Sequence, residues 1–454
     1  MTTGASPSLK GISESVGLAP PHSMSELYRM NLSSSLAGAV PREGPINFGV
    51  FRNRSPQLGT GQTRLIPLDT MATNDQFGHS VSISGTGVYA IVGVPGRDAG
   101  AGAAYIFTRV AGIWSQQVKL TASDASFSDR FGYSVAMSGD GAYVIIGAIG
   151  HDAEAVDSGV IYIFSRSGST WTEQIKFKAS DAVGNQSLGR SVAISWNGAY
   201  AIAGAPGDNG FAGAVYIFTR SGTDWSLQQK VPSPDPGGFD QFGVSVSISG
   251  DGNTAIVGSY GDDDAANNAG AAYIFVRSGA TWSQQTKFSG SDTGISDSFG
   301  RSVSISRDGS QVIVGAYNHD GGGVSSSGGV YSFERTGATW SQTSKLIHPN
   351  PTSGGYFGWS VAYSGAGRYA IVGAINDSDA GTRAGATITR YRSIENAFSL
   401  AGGIKNTAWD AASGDGFGNS VAIDEYGWNA IVGAYNKDAG AGAAYIVGES
   451  FFLN

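Results

Sequence analysis

From about residue 62 onward, apolar positions come in short alternating runs cut off by glycine and small polar residues. In "HSVSISG" Val81 and Ile83 share one face, and "VYAIVGV" follows the turn Gly85-Thr86-Gly87, so the two runs predict a tight hairpin. The turn returns as Gly139-Asp140-Gly141, Asn197-Gly198, Gly250-Asp251-Gly252 and Asp308-Gly309, where glycine supplies the positive φ. A polar loop then leads to a third run, "AAYIFTR", with Tyr105 and Phe107 on one side. Its counterparts carry Tyr162/Phe164, Tyr216/Phe218, Tyr273/Phe275 and Tyr331/Phe333. A fourth begins at a tryptophan, at Trp114, Trp171, Trp225, Trp282 and Trp340. Four antiparallel strands in this order predict one propeller blade.

The unit recurs seven times. Phe-Gly or its equivalent stands at Phe77, Phe131, Leu188, Phe242, Phe299, Phe357 and Phe417, each followed by Gly, a variable residue, Ser and Val. A glycine always lies 16 residues further on, at Gly93, Gly147, Gly204, Gly258, Gly315, Gly373 and Gly433, while the distance between copies varies from 54 to 60. A fixed core with elastic connectors marks a structural repeat, and a single blade cannot bury both faces, so seven must stack around an axis. The seventh copy ends without its fourth strand, whereas "TRLIPLDT", Thr63 to Thr70, stands unpaired before the first. The expectation is an all-β, seven-bladed propeller over residues 62–454, closed by this N-terminal strand.

Composition agrees: 69 glycines serve turns, and an apolar fraction of 41% suffices for a core. With no cysteine, disulfides, thiolate metal sites and a cysteine nucleophile are excluded. The net charge of −8 is concentrated in the repeats, where 23 Lys/Arg face 33 Asp/Glu, a net −10. That sign argues against a nucleic-acid-binding surface, which needs clustered cations. No run has the length of a membrane span, and the first thirty residues lack the apolar core of a signal peptide.

Phe-Gly-x-Ser-Val, the Gly-Ala-Pro that follows and the closing Gly-Ala-x-Tyr-Ile-Phe resemble FG-GAP repeats, the units of the propeller in integrin α-subunits and in many bacterial and viral surface proteins. The resemblance implies the fold; propellers carry many activities, so it does not imply one function. Integrin-type repeats often hold calcium in the first hairpin. The hairpins here, such as "SGTG" and "SWNG", are too short and too poor in carboxylates for the six to eight oxygens calcium takes, so calcium is not expected there.

A different acidic loop, "GDDDAANNAG", places Asp262, Asp263 and Asp264 on the face shared with the connectors between blades. It reads either as a solvated polar turn or as a ligand-facing loop that helps hold a cation. The histidines lack metal-ligand spacing, the Gly-rich pieces precede strands rather than helices, and no nucleophile elbow is present, so no catalytic residue and no cofactor are expected. The repeated Trp and Tyr read as blade packing first and glycan platforms second.

Residues 1–61 do not repeat. Leu9, Ile12 and Val16 stand at helical spacing, and Ser23-x-x-Glu26 is a capping-box pattern ahead of Leu27 and Met30. Such short helices are marginal alone, so a docking arm is predicted, with Leu9, Ile12, Val16, Met24, Leu27 and Tyr28 as its contacts. The run from Ile12 to Arg29, above all Ser23-Met-Ser-Glu-Leu-Tyr-Arg29, resembles a short leader of tailed-phage tail and fibre proteins, particularly of marine phages. That resemblance implies a virion protein assembled in the host cytoplasm. Its arm would join other virion proteins, and its propeller would serve adhesion to a host glycan or protein, decoration or bracing. The alternatives are a bacterial cell-surface ligand-binding propeller and a polysaccharide-degrading propeller enzyme.

Overall fold

In the computed structural model, which describes residues 61–392 and 403–448, the repeat becomes seven four-stranded antiparallel sheets. After a short strand β1 (Gln62–Arg64), blade 1 is built in sequence order from β2 (Ser80–Ile83), β3 (Tyr89–Val94), β4 (Ala103–Val110) and β5 (Ile113–Leu120). Blades 2 to 6 repeat this over residues 131–177, 191–232, 245–288, 299–347 and 357–406. The first strands of neighbouring blades touch one another around the axis, so they are innermost.

Blade 7 has three strands from its own repeat, and β1 supplies the fourth: Gln62, Thr63 and Arg64 pair antiparallel with Val447, Ile446 and Tyr445. The closing strand is shorter than the Thr63–Thr70 run, because after Arg64 the chain turns away to begin the connector to blade 1. Leu65 still buries itself in the core between blades 7 and 1, beside Phe77, Ile431 and Ile446. Ring closure therefore joins the two ends of the repeat array in one sheet.

Hairpin register fixes the 16-residue interval, since Ser80 pairs with Gly93 and Ser245 with Gly258, and each such glycine meets the Phe-Gly of the next copy across the blade boundary. Phe131 forms a bridge with Gly102 of blade 1, and six further bridges of this kind complete the ring. Behind each phenylalanine, the glycine carbonyl is driven against the second strand of the preceding blade. A Cβ on Gly93 would overlap the carbonyl oxygen of Gly132; Gly258 meets Gly300, and Gly433 meets Gly78, in the same way. The serine of each Phe-Gly-x-Ser donates to that carbonyl: Ser134 to Gly189 at 2.6 Å, Ser245 to Gly300 at 2.8 Å, and Ser420 to Gly78 at 2.9 Å across the closure. Each such bond is worth about 1 kcal/mol. The core likewise lies between blades: Ile91 and Ile106 of blade 1 pack with Phe131, Val135 and Ile146 of blade 2.

Among the described residues no helix is long and apolar enough to cross a membrane.

Candidate functional site

The blades present two unlike ends to the axis. At the hairpin end the turn residues of all seven blades form a closed circle of backbone hydrogen bonds. Gly85 N donates to Gly139 O, Gly139 to Trp196, Trp196 to Gly250, Gly250 to Arg307 and Arg307 to Gly365; Ala366 N then donates to Glu425 O, and Glu425 N to Gly85 O. Four of these positions are glycine, and the other three send side chains into the space this leaves. Trp196 lies where a Cβ on Gly85 or Gly139 would be, the Arg307 guanidinium stacks 3.9 Å from the indole centroid, and Arg307 pairs with the buried Glu425 at 3.1 Å. These side chains reach from blade 3 through blade 5 to blade 7 and block this end of the channel.

The opposite end is ringed by the variable residue of each Phe-Gly-x-Ser: His79, Tyr133, Arg190, Val244, Arg301, Trp359 and Asn419. Neighbours touch in order around the axis. His79 Nδ1 donates to the Tyr133 carbonyl (3.0 Å), the Arg190 guanidinium lies 4.9 Å over the Tyr133 ring, and that of Arg301 lies 4.5 Å over Trp359. Trp359 Nε1 donates to Asn419, whose amide donates to the His79 carbonyl. Small, buried Val244 separates the two arginines, and among the described residues no carboxylate pairs with Arg190, Arg301 or nearby Arg130.

The electrostatics follow from that missing counter-charge. Burial, then Arg190, push Arg301 down to about 10, and what opposes them are the phenols of Tyr133, Tyr317 and Tyr260. Burial, reinforced by Arg190, Arg301 and Arg130, pushes His79 down to about 4, so it is neutral at ordinary pH. A cleft of about 410 Å³ runs outward from His79 and Tyr133 between blades 1 and 2, lined also by Asn74, Gln76 and Arg130.

Further out on the same face, a lysine, an aspartate and a tyrosine meet in blade after blade. Tyr162 Oη donates to Asp124 at 2.7 Å while Lys176, opposite Tyr162 in register, also binds Asp124; Tyr331, Asp292 and Lys345 repeat the arrangement. Burial raises Asp124, but the bonds from Lys176, Tyr162 and His151 outweigh it and hold it well below the usual carboxylate range. In blade 7 the partner opposite Tyr445 is Arg64 of β1, which pairs with Asp410 at 3.2 Å, so the closing strand restores the cluster as well as the sheet.

The Asp262–Asp264 loop takes part in this pattern. Asp262 is buried and accepts from Tyr273 Oη and Lys287 Nζ, both at 2.8 Å. Asp264 is exposed and also binds Lys287, and Asp263 accepts from the backbone of Asn268. Burial disfavours the charge on Lys287, yet Asp235, Asp262 and Asp264 together raise it. The three carboxylates thus point to different partners, and among the described residues no group of three or more His, Asp or Glu is placed to hold a metal. Leu9, Ile12, Val16, Met24, Leu27 and Tyr28 lie outside the described residues.

The channel-mouth residues are not marked by the repeat, because they occupy its variable position and come together only when seven blades surround one axis. Their signal was present: the one unconserved position inside an otherwise fixed motif carries two arginines and three large rings. The counter-ions were legible too, as the lysine that recurs in the fourth strand.

Seven stretches, residues 60–107, 114–164, 171–218, 225–275, 282–333, 340–387 and 404–447, match the FG-GAP repeat. No curated protein matches the chain. Among solved structures it is similar to a chain of the hydrazine synthase of Kuenenia stuttgartiensis, with a TM-score of 0.54 at 11% identity, covering 84% of this chain and 97% of that one. At that identity the likeness speaks for the fold alone. The matched repeats span the whole ring, blade by blade, and the chain belongs to the FG-GAP repeat family.

Proposed function

We propose that this protein is a non-enzymatic component of a tailed-phage virion, attached through residues 1–61 and presenting its propeller for adhesion or bracing. The observation that carries the binding role is the contrast between the two ends of the channel: one is blocked by Trp196, Arg307 and Glu425, the other is open and lined with uncommitted guanidinium groups and aromatic rings. Asp124, Asp262, Asp292 and Asp410 on the open face are each held by a lysine or arginine and a tyrosine, which suits a binding surface better than acid–base catalysis on a glycosidic bond. The place on a particle rests on the leader-like run from Ile12 to Arg29.

Deleting residues 1–61 is expected to leave a folded propeller that no longer joins particles. Normal incorporation of the truncated protein would refute attachment through the arm. Recovery of the full chain in bacterial envelope fractions instead of particles would favour a cell-surface ligand-binding propeller. Shortening of host polysaccharide by purified protein would make it an enzyme.

A further inference from the structure

Arg190 and Arg301 are half-buried around the axis, yet neither guanidinium has an ion pair or a hydrogen bond to protein among the described residues; their contacts are ring faces. Stacking on Tyr133 and Trp359 fixes the plane of each guanidinium and leaves its edge, which carries the N–H donors, free. In a protein with a net charge of −8, grouping such cations without a carboxylate is costly unless an anion completes the site. Arg130 adds a third cation in the cleft that continues the mouth. The rings alongside are not all consumed by packing: Tyr133, Tyr317, Tyr356 and Trp359 stay half-exposed, and Tyr317 lies 5.1 Å from Trp359.

We infer that the open channel mouth, with the cleft between blades 1 and 2, binds the acidic terminal sugar of a glycan. Its carboxylate or sulfate sits between the edges of Arg190 and Arg301, and the C–H face of the sugar ring packs on the partly exposed Tyr317 and Tyr356 beside them. An extended acidic peptide offers the charge without a flat apolar face. A nucleic acid offers both, but its run of phosphates meets an acidic rim. Because the channel is blocked below, the site takes a chain end rather than a polymer passing through, and a cleft of about 410 Å³ is the size of a sugar or two. This inference deepens the adhesion reading and rests on it.

The test is calorimetric titration of the full chain with methyl glucuronide, methyl glucoside, sodium acetate and a short polyglutamate. Saturable binding of the glucuronide is expected, at least about tenfold tighter than the glucoside and acetate, because only the glucuronide engages both the guanidinium edges and the rings. R301Q and R190Q should each weaken it roughly tenfold, and D263N, on the outer loop, should leave it unchanged. Equal binding of glucoside, equal binding of acetate, tighter binding of polyglutamate, or no saturable glucuronide binding would each overturn the assignment, and these ligand arms need no variant to fold. Retention on host cells, measured separately, distinguishes the two levels. Retention without glucuronide binding removes the acidic sugar and keeps adhesion; no retention removes adhesion itself.

Discussion

At the scale of single residues, the departures from the repeat say most. Six blades follow the first strand with a serine whose Oγ accepts the backbone N–H five residues on, and in all of these but blade 5 also the one four residues on, as Ser138 does from Ala142 and Tyr143. Blade 7 has Asp424 there, accepting from Trp428 N, Asn429 N and Asn429 Nδ2. Burial pushes Asp424 up to about 6, against those hydrogen bonds, from an ordinary 3.8. A carboxyl raised in the folded chain contributes nothing below about pH 4, where both states hold the proton. Its penalty grows as pH rises toward 6 and stands in full above that, at about 3 kcal/mol by linkage. D424N should therefore gain about 1–3 kcal/mol over the parent at pH 8, with the gain vanishing near pH 4, as measured by denaturant midpoints. An equal difference at both pH values would show that the charge is not the cause.

At the scale of elements, the hairpins, the third-strand tyrosines and the borrowed strand of blade 7 were all legible, because each depends on local alternation or on a count of units. The reason for a glycine at the end of the 16-residue interval was not, since it lies in the next blade: a glycine can be read as a turn former from its own neighbours, but Gly258 is glycine because Gly300 O lies against it. Asp262 shows the same limit. Three adjacent carboxylates suggest a ligand loop until strand register brings Lys287 opposite Tyr273, beside them. The seam between blades makes a direct prediction. G258A should cost about 3 kcal/mol, because neither backbone at the contact can yield without breaking the Ser245 bond. G294A, where an added Cβ meets nothing within 4 Å, should change stability by less than about 0.5 kcal/mol in the same unfolding experiment. Similar losses at both positions would mean the seam is not tight.

At the scale of the whole molecule, the account rests on one ring made continuous by β1, since a blocked end and an open mouth have meaning only if seven blades surround one axis. Gln62 and Val447 face each other in the closing pair, at a position where the flanking residues rather than these two exchange backbone bonds, so their Cβ atoms approach closely. The chain has no cysteine of its own, so Q62C combined with V447C gives a clean reporter. Oxidation followed by non-reducing mass analysis and denaturation is the most direct measurement. A closed ring predicts an intramolecular disulfide in the monomer and a gain of about 4 kcal/mol, because the bond spans nearly the whole propeller. Free thiols after oxidation, or disulfide-linked dimers in which β1 completes the blade of another copy, would contradict it.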